Sequence, residues 1–188
     1  MLLRFNKIKK DARGVTLVEL MLALAIILLV IAPLVKALYQ GMKGSVRFGD
    51  TNKAIQLAQE LTEEIKQKKW DETTPIGGGA TTTPSAIGID GGETAGNKTT
   101  YDDIDDYNGL VEHPPKDINN VEIPNTSHFT RWVAVQYVNI PMANSPAVNL
   151  VQAVAGPTDY KLVTVTVTWD GYTTPVVLKT VVANIKKF

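Results

Sequence analysis

The first candidate for chemistry is a single carboxylate near the N-terminus. Glu19 stands at the edge of an apolar run, residues 20–35, in which no residue is charged. A carboxylate at the edge of a segment that enters hydrocarbon is costly unless a cation meets it, so such a residue marks function by default. We therefore predict that Glu19 pairs with a positive charge when this segment is buried. The competing interpretation is a helix-edge glutamate that lies among lipid headgroups.

A second candidate is a run of aspartates in the middle of the chain. Residues 101–109 contain four carboxylates within five positions. Crowded carboxylates raise one another's pKa unless a cation or hydrogen-bond donors absorb the charge. Asp and Asn oxygens suit Ca²⁺, although the spacing is not that of an EF-hand. The alternatives are a structural turn in which Asp side chains cap backbone N–H groups, and a contact with a partner protein. The candidate calcium ligands are Asp102, Asp103, Asp105, Asp106 and Asn108.

The composition gives little support to an enzyme. The chain has no cysteine, and its two histidines, His113 and His128, stand in turn-rich sequence. Thiol chemistry, zinc sites and His-based triads therefore lack their residues. The glycines at 77–79 are not followed by the Lys-Ser/Thr pair that opens a phosphate-binding helix. We predict no catalytic residue and no cofactor other than the candidate calcium ion.

Charge is distributed unevenly along the chain. Residues 1–14 hold five Lys/Arg and one Asp, whereas the remainder holds 14 basic and 18 acidic residues. A basic terminus before an apolar run stays on the cytoplasmic side, so the residues after the run are predicted to cross the membrane. The mildly acidic exported part lacks the basic footprint of a general nucleic-acid-binding protein.

Three interpretations of the N-terminal segment compete. A Sec-type signal peptide has a shorter apolar core and a small-x-small cleavage site, and no such site follows this run. A plain transmembrane anchor fits the length but explains neither Glu19 nor Gly14. Cleavage on the cytoplasmic side after Gly14, with the apolar helix retained on the mature protein, explains both.

The sequence Gly14-Val15-Thr16-Leu17-Val18-Glu19, after a basic leader, resembles the processing site of type IV pilins and of the pseudopilins of type II secretion. The resemblance implies that a prepilin peptidase cleaves between Gly14 and Val15 and methylates the new N-terminus, Val15. It also implies that Glu19 sets the register of subunits in a helical filament. In a bundle of such helices each α-amino group is a buried cation, and a carboxylate on a neighbouring helix can neutralise it.

Three segments then organise the chain. Residues 1–14 are the leader, residues 15–42 are the hydrophobic transmembrane and assembly helix, and residues 43–188 are the periplasmic or extracellular head. Pro33 and the glycines that follow it weaken the helix. We predict that this stretch loosens when the subunit leaves the bilayer for the filament.

The head is predicted to be α+β and pilin-like. In residues 50–69 apolar side chains recur at helical spacing opposite charged ones, with Asp50 or Thr51 as the N-cap. Residues 73–128 are predicted to form a loop region, of which residues 73–100 are rich in Thr, Gly and Pro. Residues 129–186 contain alternating runs that form an antiparallel sheet. A sheet with one apolar face needs a cover, and the amphipathic helix supplies it.

A narrower resemblance concerns the middle of the chain. The pair Gly92-Glu93, followed by the aromatic-Asp-Asp-aliphatic-Asp-Asp-aromatic stretch within residues 101–109, is similar to minor pilins such as the D-type subunit of mannose-sensitive haemagglutinin pili. It favours a minor pilin, a structural subunit of a type IV pilus-like filament. The alternatives are a pseudopilin of a type II secretion system and a non-polymerising, single-span binding module for adhesion or DNA uptake.

The resemblance also implies a location and a set of partners. The subunit is expected in the cytoplasmic membrane with its N-terminus inside, and afterwards in an extracellular pilus or a periplasmic pseudopilus. Its expected partners are the membrane before assembly, the prepilin peptidase, the inner-membrane assembly platform and other pilin subunits.

Overall fold

The computed structural model describes residues 14–76, 79–140 and 152–185. The predicted leader, apart from Gly14, lies outside the described residues. The chain divides into two compact units, Met1–Arg47 and Phe48–Phe188. From here on, stem and head denote these two units instead of the predicted segments 15–42 and 43–188. In chain order the elements are helix α1 (Leu17–Lys66), two 3₁₀ turns (Lys98–Thr100 and Asp105–Tyr107) and strands β1 (Val111–Glu112), β2 (Phe129–Asn139), β3 (Gln152–Ala153), β4 (Tyr160–Trp169) and β5 (Val176–Ala183).

The stem is the N-terminal part of α1. Its backbone is α-helical through Pro33. Proline has no backbone N–H and removes one helical hydrogen bond, but membrane helices tolerate proline when neighbouring groups satisfy the freed carbonyl. Every side chain from residue 14 to residue 43 is exposed. Within the described residues, α1 is the one helix long and apolar enough to cross a membrane. The predicted loosening concerns the assembled filament and stays a prediction.

Residues 48–66 are the part of α1 that belongs to the head. Its most buried apolar side chains are at most 1% exposed and are those that the helical spacing predicts: Ala54, Leu57, Ala58, Leu61 and Ile65. The predicted ends are wrong. The helix runs through Asp50 and Thr51, so neither residue is an N-cap. Gly49, which precedes them, lowers helix stability by only about 1 kcal/mol relative to Ala and does not end the helix. The helix ends at Lys66 instead of residue 69. The N–H groups of Gln67 and Lys68 donate to carbonyls three residues earlier, which tightens the turn that follows the helix.

The strands form one antiparallel sheet in the order β1-β2-β4-β5, with β3 beside β2. The predicted strand that begins at residue 129 and the hairpin between β4 and β5 are confirmed, but the sheet starts earlier, because β1 at Val111–Glu112 pairs with β2. The confirmed fold class is α+β, one long N-terminal helix and a C-terminal antiparallel sheet. Residues 73–128, predicted as loop, also contain β1 and both 3₁₀ turns.

One face of the sheet lies in the core of the head. The buried side chains of β2 and β4 on this face belong to odd-numbered residues and pack with α1: Phe129, Val133, Val135, Val163, Val165 and Val167. The same alternation places Arg131 and Lys161 on this face, and both are fully buried. Two charged side chains therefore point into a hydrophobic core, where each needs a partner.

Candidate functional sites

The predicted processing site lies just before helix α1. Gly14 and Val15 are exposed and precede the helix. Thr16 caps it, because its Oγ1 accepts the N–H of Glu19 at 3.3 Å and its carbonyl accepts the N–H of Leu20 at 3.1 Å. Cleavage after Gly14 would leave this cap intact, so processing and helix formation are compatible.

Glu19 belongs to the first turn of α1. A negative charge there is favoured by the unpaired N–H groups of the helix start. Glu19 is exposed, and no described Lys, Arg or His forms an ion pair with it. The described part of the chain therefore supplies no cation that neutralises Glu19.

The acidic turn, residues 101–109, is folded into the head. Its backbone is attached to the chain just after α1, because the N–H of Lys69 donates to the carbonyl of Asp102 and the N–H of Ile104 donates to the carbonyl of Lys69. Its apolar side chains belong to the core of the head: Tyr101, Ile104 and Tyr107. Leu110, the residue after the turn, belongs to the same core. Three aspartates are buried with them: Asp103, Asp105 and Asp106.

The predicted calcium ligands of this turn have separate partners. Asp102 Oδ2 accepts a hydrogen bond from Lys69 Nζ at 2.6 Å, and Asp105 Oδ1 accepts one from Lys161 Nζ at 2.6 Å. Asn108 Oδ1 accepts a backbone N–H of β2 at 3.0 Å. These three side chains therefore serve the fold, and the structure does not gather the five predicted ligands around one point.

Glu93 lies against the acidic turn. Its Oε1 accepts the N–H of Asp102 at 3.3 Å, and carboxylate oxygens of Glu93, Asp102 and Asp106 lie within 4.8 Å of one another. Asp106 Oδ2 accepts the N–H groups of Asp102 and Asp103 at 2.9 Å each. Burial, together with the neighbouring Asp106 carboxyl, raises the pKa of Glu93 to about 7. The Gly92-Glu93 pair and the acidic turn, separate in sequence, are thus one structural unit.

A second group of three carboxylates lies nearby. Carboxylate oxygens of Glu72, Asp90 and Asp103 are within 4.8 Å of one another. Asp103 is buried; its Oδ1 accepts the N–H of Asp105 at 2.8 Å, whereas its Oδ2 accepts no hydrogen bond from the described residues. Burial and the adjacent Asp105 carboxyl raise the pKa of Asp103 to about 9. Such a group needs a proton or a cation.

Lys161 balances two of the buried carboxylates. Its Nζ donates to Asp105 Oδ1 at 2.6 Å, to Asp71 Oδ2 at 3.1 Å and to the carbonyl of Trp70 at 2.7 Å, which uses all three ammonium hydrogens. Nζ also lies 4.2 Å from the centroid of the Trp70 ring. Burial alone would raise the pKa of Asp71, but hydrogen bonds from Thr73 and the charge of Lys161 outweigh it and lower that pKa.

Arg131 belongs to a second buried network. Lys98 Nζ lies 3.0 Å from Glu64 Oε2 and 3.3 Å from Glu112 Oε1, and Arg131 Nε donates to Glu112 Oε2. The hydroxyl of Tyr107 donates to Glu64 Oε1 at 2.9 Å. Two carboxylates and two cations leave no net charge. The network joins α1, the first 3₁₀ turn, β1 and β2, so it fixes the loop region to the helix and the sheet.

Sequence reasoning missed most of these charged residues. Arg131 and Lys161 could have been found, because the period-2 alternation of their strands already assigns them to the core face. Glu72 and Asp90 gave no signal, since tertiary folding alone brings them to Asp103.

The Glu93–Asp106 pair predicts a pH dependence. The folded-state pKa of Glu93, about 7, lies above its ordinary value of 4.5, so the folded head binds this proton more tightly than the unfolded chain does. The resulting stability is complete below about pH 4.5 and is lost as the pH rises through 7. We expect Glu93→Gln to remove about 1–2 kcal/mol of pH dependence between about pH 5 and pH 8, since the site is partly exposed.

The measurement is thermal unfolding of wild type and Glu93→Gln at a series of pH values in the presence of a chelator. The difference between the two proteins isolates Glu93 from other titrating groups such as Asp103. Parallel pH profiles for the two proteins would show that Glu93 and Asp106 do not share a proton.

Comparison with known proteins gives one match. The prokaryotic N-terminal methylation motif matches residues 9–35, about one seventh of the chain, and this range includes Gly14, Val15 and Glu19. No curated protein and no solved structure matches the chain. Together with the exposed apolar helix, the motif supports a type IV pilin-like or pseudopilin subunit, a structural protein that is anchored in the membrane, processed by a peptidase and assembled with other subunits.

Proposed function

We propose that this chain is a minor pilin, a structural subunit of a type IV pilus-like filament. The observation that supports the proposal most is the stem. Its side chains are exposed and mostly apolar from residue 14 to residue 43, and a helix that is apolar all round has to be surrounded by lipid or by other apolar helices. The bilayer provides these surroundings before assembly, and neighbouring stems provide them in the filament.

In this proposal Glu19 gives the stems their register. After cleavage each subunit has a positive α-amino group at Val15 and a negative carboxylate at Glu19. An unpaired ion among apolar side chains costs several kcal/mol, whereas a paired one is tolerated. Among the possible axial offsets of two stems, one that brings Glu19 of one subunit to Val15 of its neighbour is therefore preferred, as a buried polar residue fixes register in a coiled coil.

The proposed sequence of events follows the charge pattern. The basic leader holds the N-terminus in the cytoplasm while the head crosses the membrane. A prepilin peptidase cleaves the exposed Gly14–Val15 bond and methylates Val15, and the inner-membrane assembly platform moves the stem from lipid into the filament. The head is then displayed on an extracellular pilus.

The first test is the mass of the naturally processed chain. We expect a mature protein that begins at Val15 and bears one added methyl group on its amine, because the scissile bond precedes the helix and is exposed. Mass spectrometry of the intact protein and of its N-terminal peptide measures both features. A retained leader, or a chain that begins elsewhere, would contradict the proposal.

A matched pair of variants tests recognition of the glycine. A Cβ added at Gly14 or at Gly44 meets no atom within 4 Å, so the first side-chain carbon of Gly14→Leu or Gly44→Leu is accommodated. We expect Gly14→Leu to block processing and Gly44→Leu to be processed normally. Normal processing of both variants would show that the peptidase does not read Gly14.

The same preparation separates the minor pilin from the two alternatives. A processed chain in filaments sheared from the cell surface supports a pilus. A processed chain confined to the periplasm indicates a pseudopilin of type II secretion. An unprocessed chain that stays monomeric in the membrane indicates an anchored binding module.

A further inference from the structure

We propose that the head binds one calcium ion between the carboxylates of Glu72, Asp90 and Asp103. Oxygen atoms of the three groups lie within 4.8 Å of one another. The Asp103 side chain is 99% buried, and its Oδ2 accepts no hydrogen bond from the described residues. A polar atom in this position is rare in native proteins unless an ion, a proton or a water satisfies it. The proposal concerns the head alone and does not depend on filament assembly.

The excess of negative charge around the three carboxylates also favours binding of a cation. Eight carboxylates are linked here, directly or through Ser85 and Lys161: Asp71, Glu72, Asp90, Glu93, Asp102, Asp103, Asp105 and Asp106. Three lysines interact with them: Lys68, Lys69 and Lys161. Lys161 is committed to Asp71 and Asp105, and Lys69 is committed to Asp102. Within the described part of the chain, no basic side chain forms an ion pair with Glu72, Asp90 or Asp103.

The neighbouring group of carboxylates is a poorer site for the ion. Asp102 pairs with Lys69, and Asp106 accepts two backbone N–H groups at 2.9 Å. Glu93 accepts the N–H of Asp90 at 3.0 Å and the N–H of Asp102 at 3.3 Å. Each of these three side chains has a backbone donor or a lysine as a described partner, whereas Asp103 Oδ2 has none. This difference favours the group of Glu72, Asp90 and Asp103 as the site of the ion.

The donor set favours calcium over magnesium. Ca²⁺ accepts six to eight oxygen ligands in irregular geometry, whereas Mg²⁺ demands a near-ideal octahedron and keeps several waters. Glu72 is exposed and Asp90 is at least partly exposed, so water can complete the shell.

Binding would connect three segments that are distant in sequence. Glu72 follows α1, Asp90 lies in the long loop and Asp103 lies in the acidic turn. The ion would hold the loop that contains Asp90 against the turn, and we expect it to protect this loop from proteases more than it protects the sheet.

The test uses the full chain in detergent, freed of metal with a chelator and then titrated with CaCl₂. We expect one Ca²⁺ per chain by equilibrium dialysis and a rise of several degrees in the melting temperature at millimolar Ca²⁺. Mg²⁺ should bind at least about tenfold more weakly. Glu72→Gln and Asp90→Asn replace carboxylates that are not buried, so each should weaken Ca²⁺ binding about tenfold or more without unfolding the head. Asp103→Asn should abolish Ca²⁺ binding.

Two control variants make the assignment specific. Glu122→Gln removes an exposed carboxylate elsewhere in the head, and Glu93→Gln removes one from the neighbouring group; both should bind Ca²⁺ as wild type does. Loss of binding in Glu93→Gln but not in Asp90→Asn would overturn the assignment. Absence of any response to millimolar Ca²⁺, with Asp103→Asn as stable as wild type, would show that Asp103 is simply protonated and would overturn the proposal.

Discussion

Replacing Glu19 by alanine should abolish incorporation of the chain into filaments and leave the head folded. Without this carboxylate the α-amino group of Val15 is left unpaired among apolar stems, at a cost of several kcal/mol per subunit. Since about 1.4 kcal/mol is a factor of ten, we expect at least about a tenfold loss of filament-associated chain. The measurement compares the amount of chain in sheared filaments with the amount left in the membrane.

Two further variants separate charge from helix propensity. Glu19→Gln keeps the shape of the side chain and removes only its charge, so it should fail to assemble as Glu19→Ala does. Glu60→Ala removes an exposed glutamate from the head part of the same helix and should assemble normally. Normal assembly of Glu19→Gln would rule out the pairing between Glu19 and Val15.

Replacing Lys161 by methionine should destabilise the head by about 3–5 kcal/mol, the range measured when one member of a buried ion pair is removed. Methionine fills most of the space of the lysine stem but leaves Asp71 and Asp105 buried without a cation. A domain of this kind is stable by only about 5–15 kcal/mol in total. Urea unfolding followed by the fluorescence of the buried Trp70 and Trp169 measures the loss.

Lys179 on β5 provides the matched control. It is an exposed lysine on the strand that pairs with β4, and Lys179→Met should change the free energy of unfolding by less than about 0.5 kcal/mol. If Lys161→Met unfolds at the same urea concentration as Lys179→Met, the contacts of Lys161 with Asp71 and Asp105 do not stabilise the head.

Local patterns were sufficient for most of the fold. Helical spacing identified the buried face of the head helix at Ala54, Leu57 and Leu61, and period-2 alternation identified the core face of β4 at Val163 and Val165. Both patterns arise within one element, because a helix or a strand turns its side chains at a fixed angle per residue. The errors fell at the helix ends, because the helix continues through Gly49 into Asp50 and Thr51, and i→i+3 hydrogen bonds follow its end at Lys66.

The acidic turn shows what local sequence patterns cannot predict, namely which groups compensate its charge. Its composition indicated a surplus of negative charge that needs compensation, and the structure identifies the compensating groups as Lys161, Lys69 and backbone N–H groups. None of these is near the turn in sequence except the backbone itself. The identity of a charge partner depends on which segments the fold brings together, and spacing along the chain does not contain that information.

The amino-acid sequence by itself determined the processing motif at Gly14 and Val15, the apolar stem and the α+β class of the head, because each depends on residues adjacent in the chain or on one regular period. Only the tertiary structure decided which carboxylates Arg131 and Lys161 contact and that Glu72 and Asp90 meet Asp103. A buried charge is stable only beside an opposite charge or a donor, and in this head those partners are supplied by segments that fold together from distant parts of the chain.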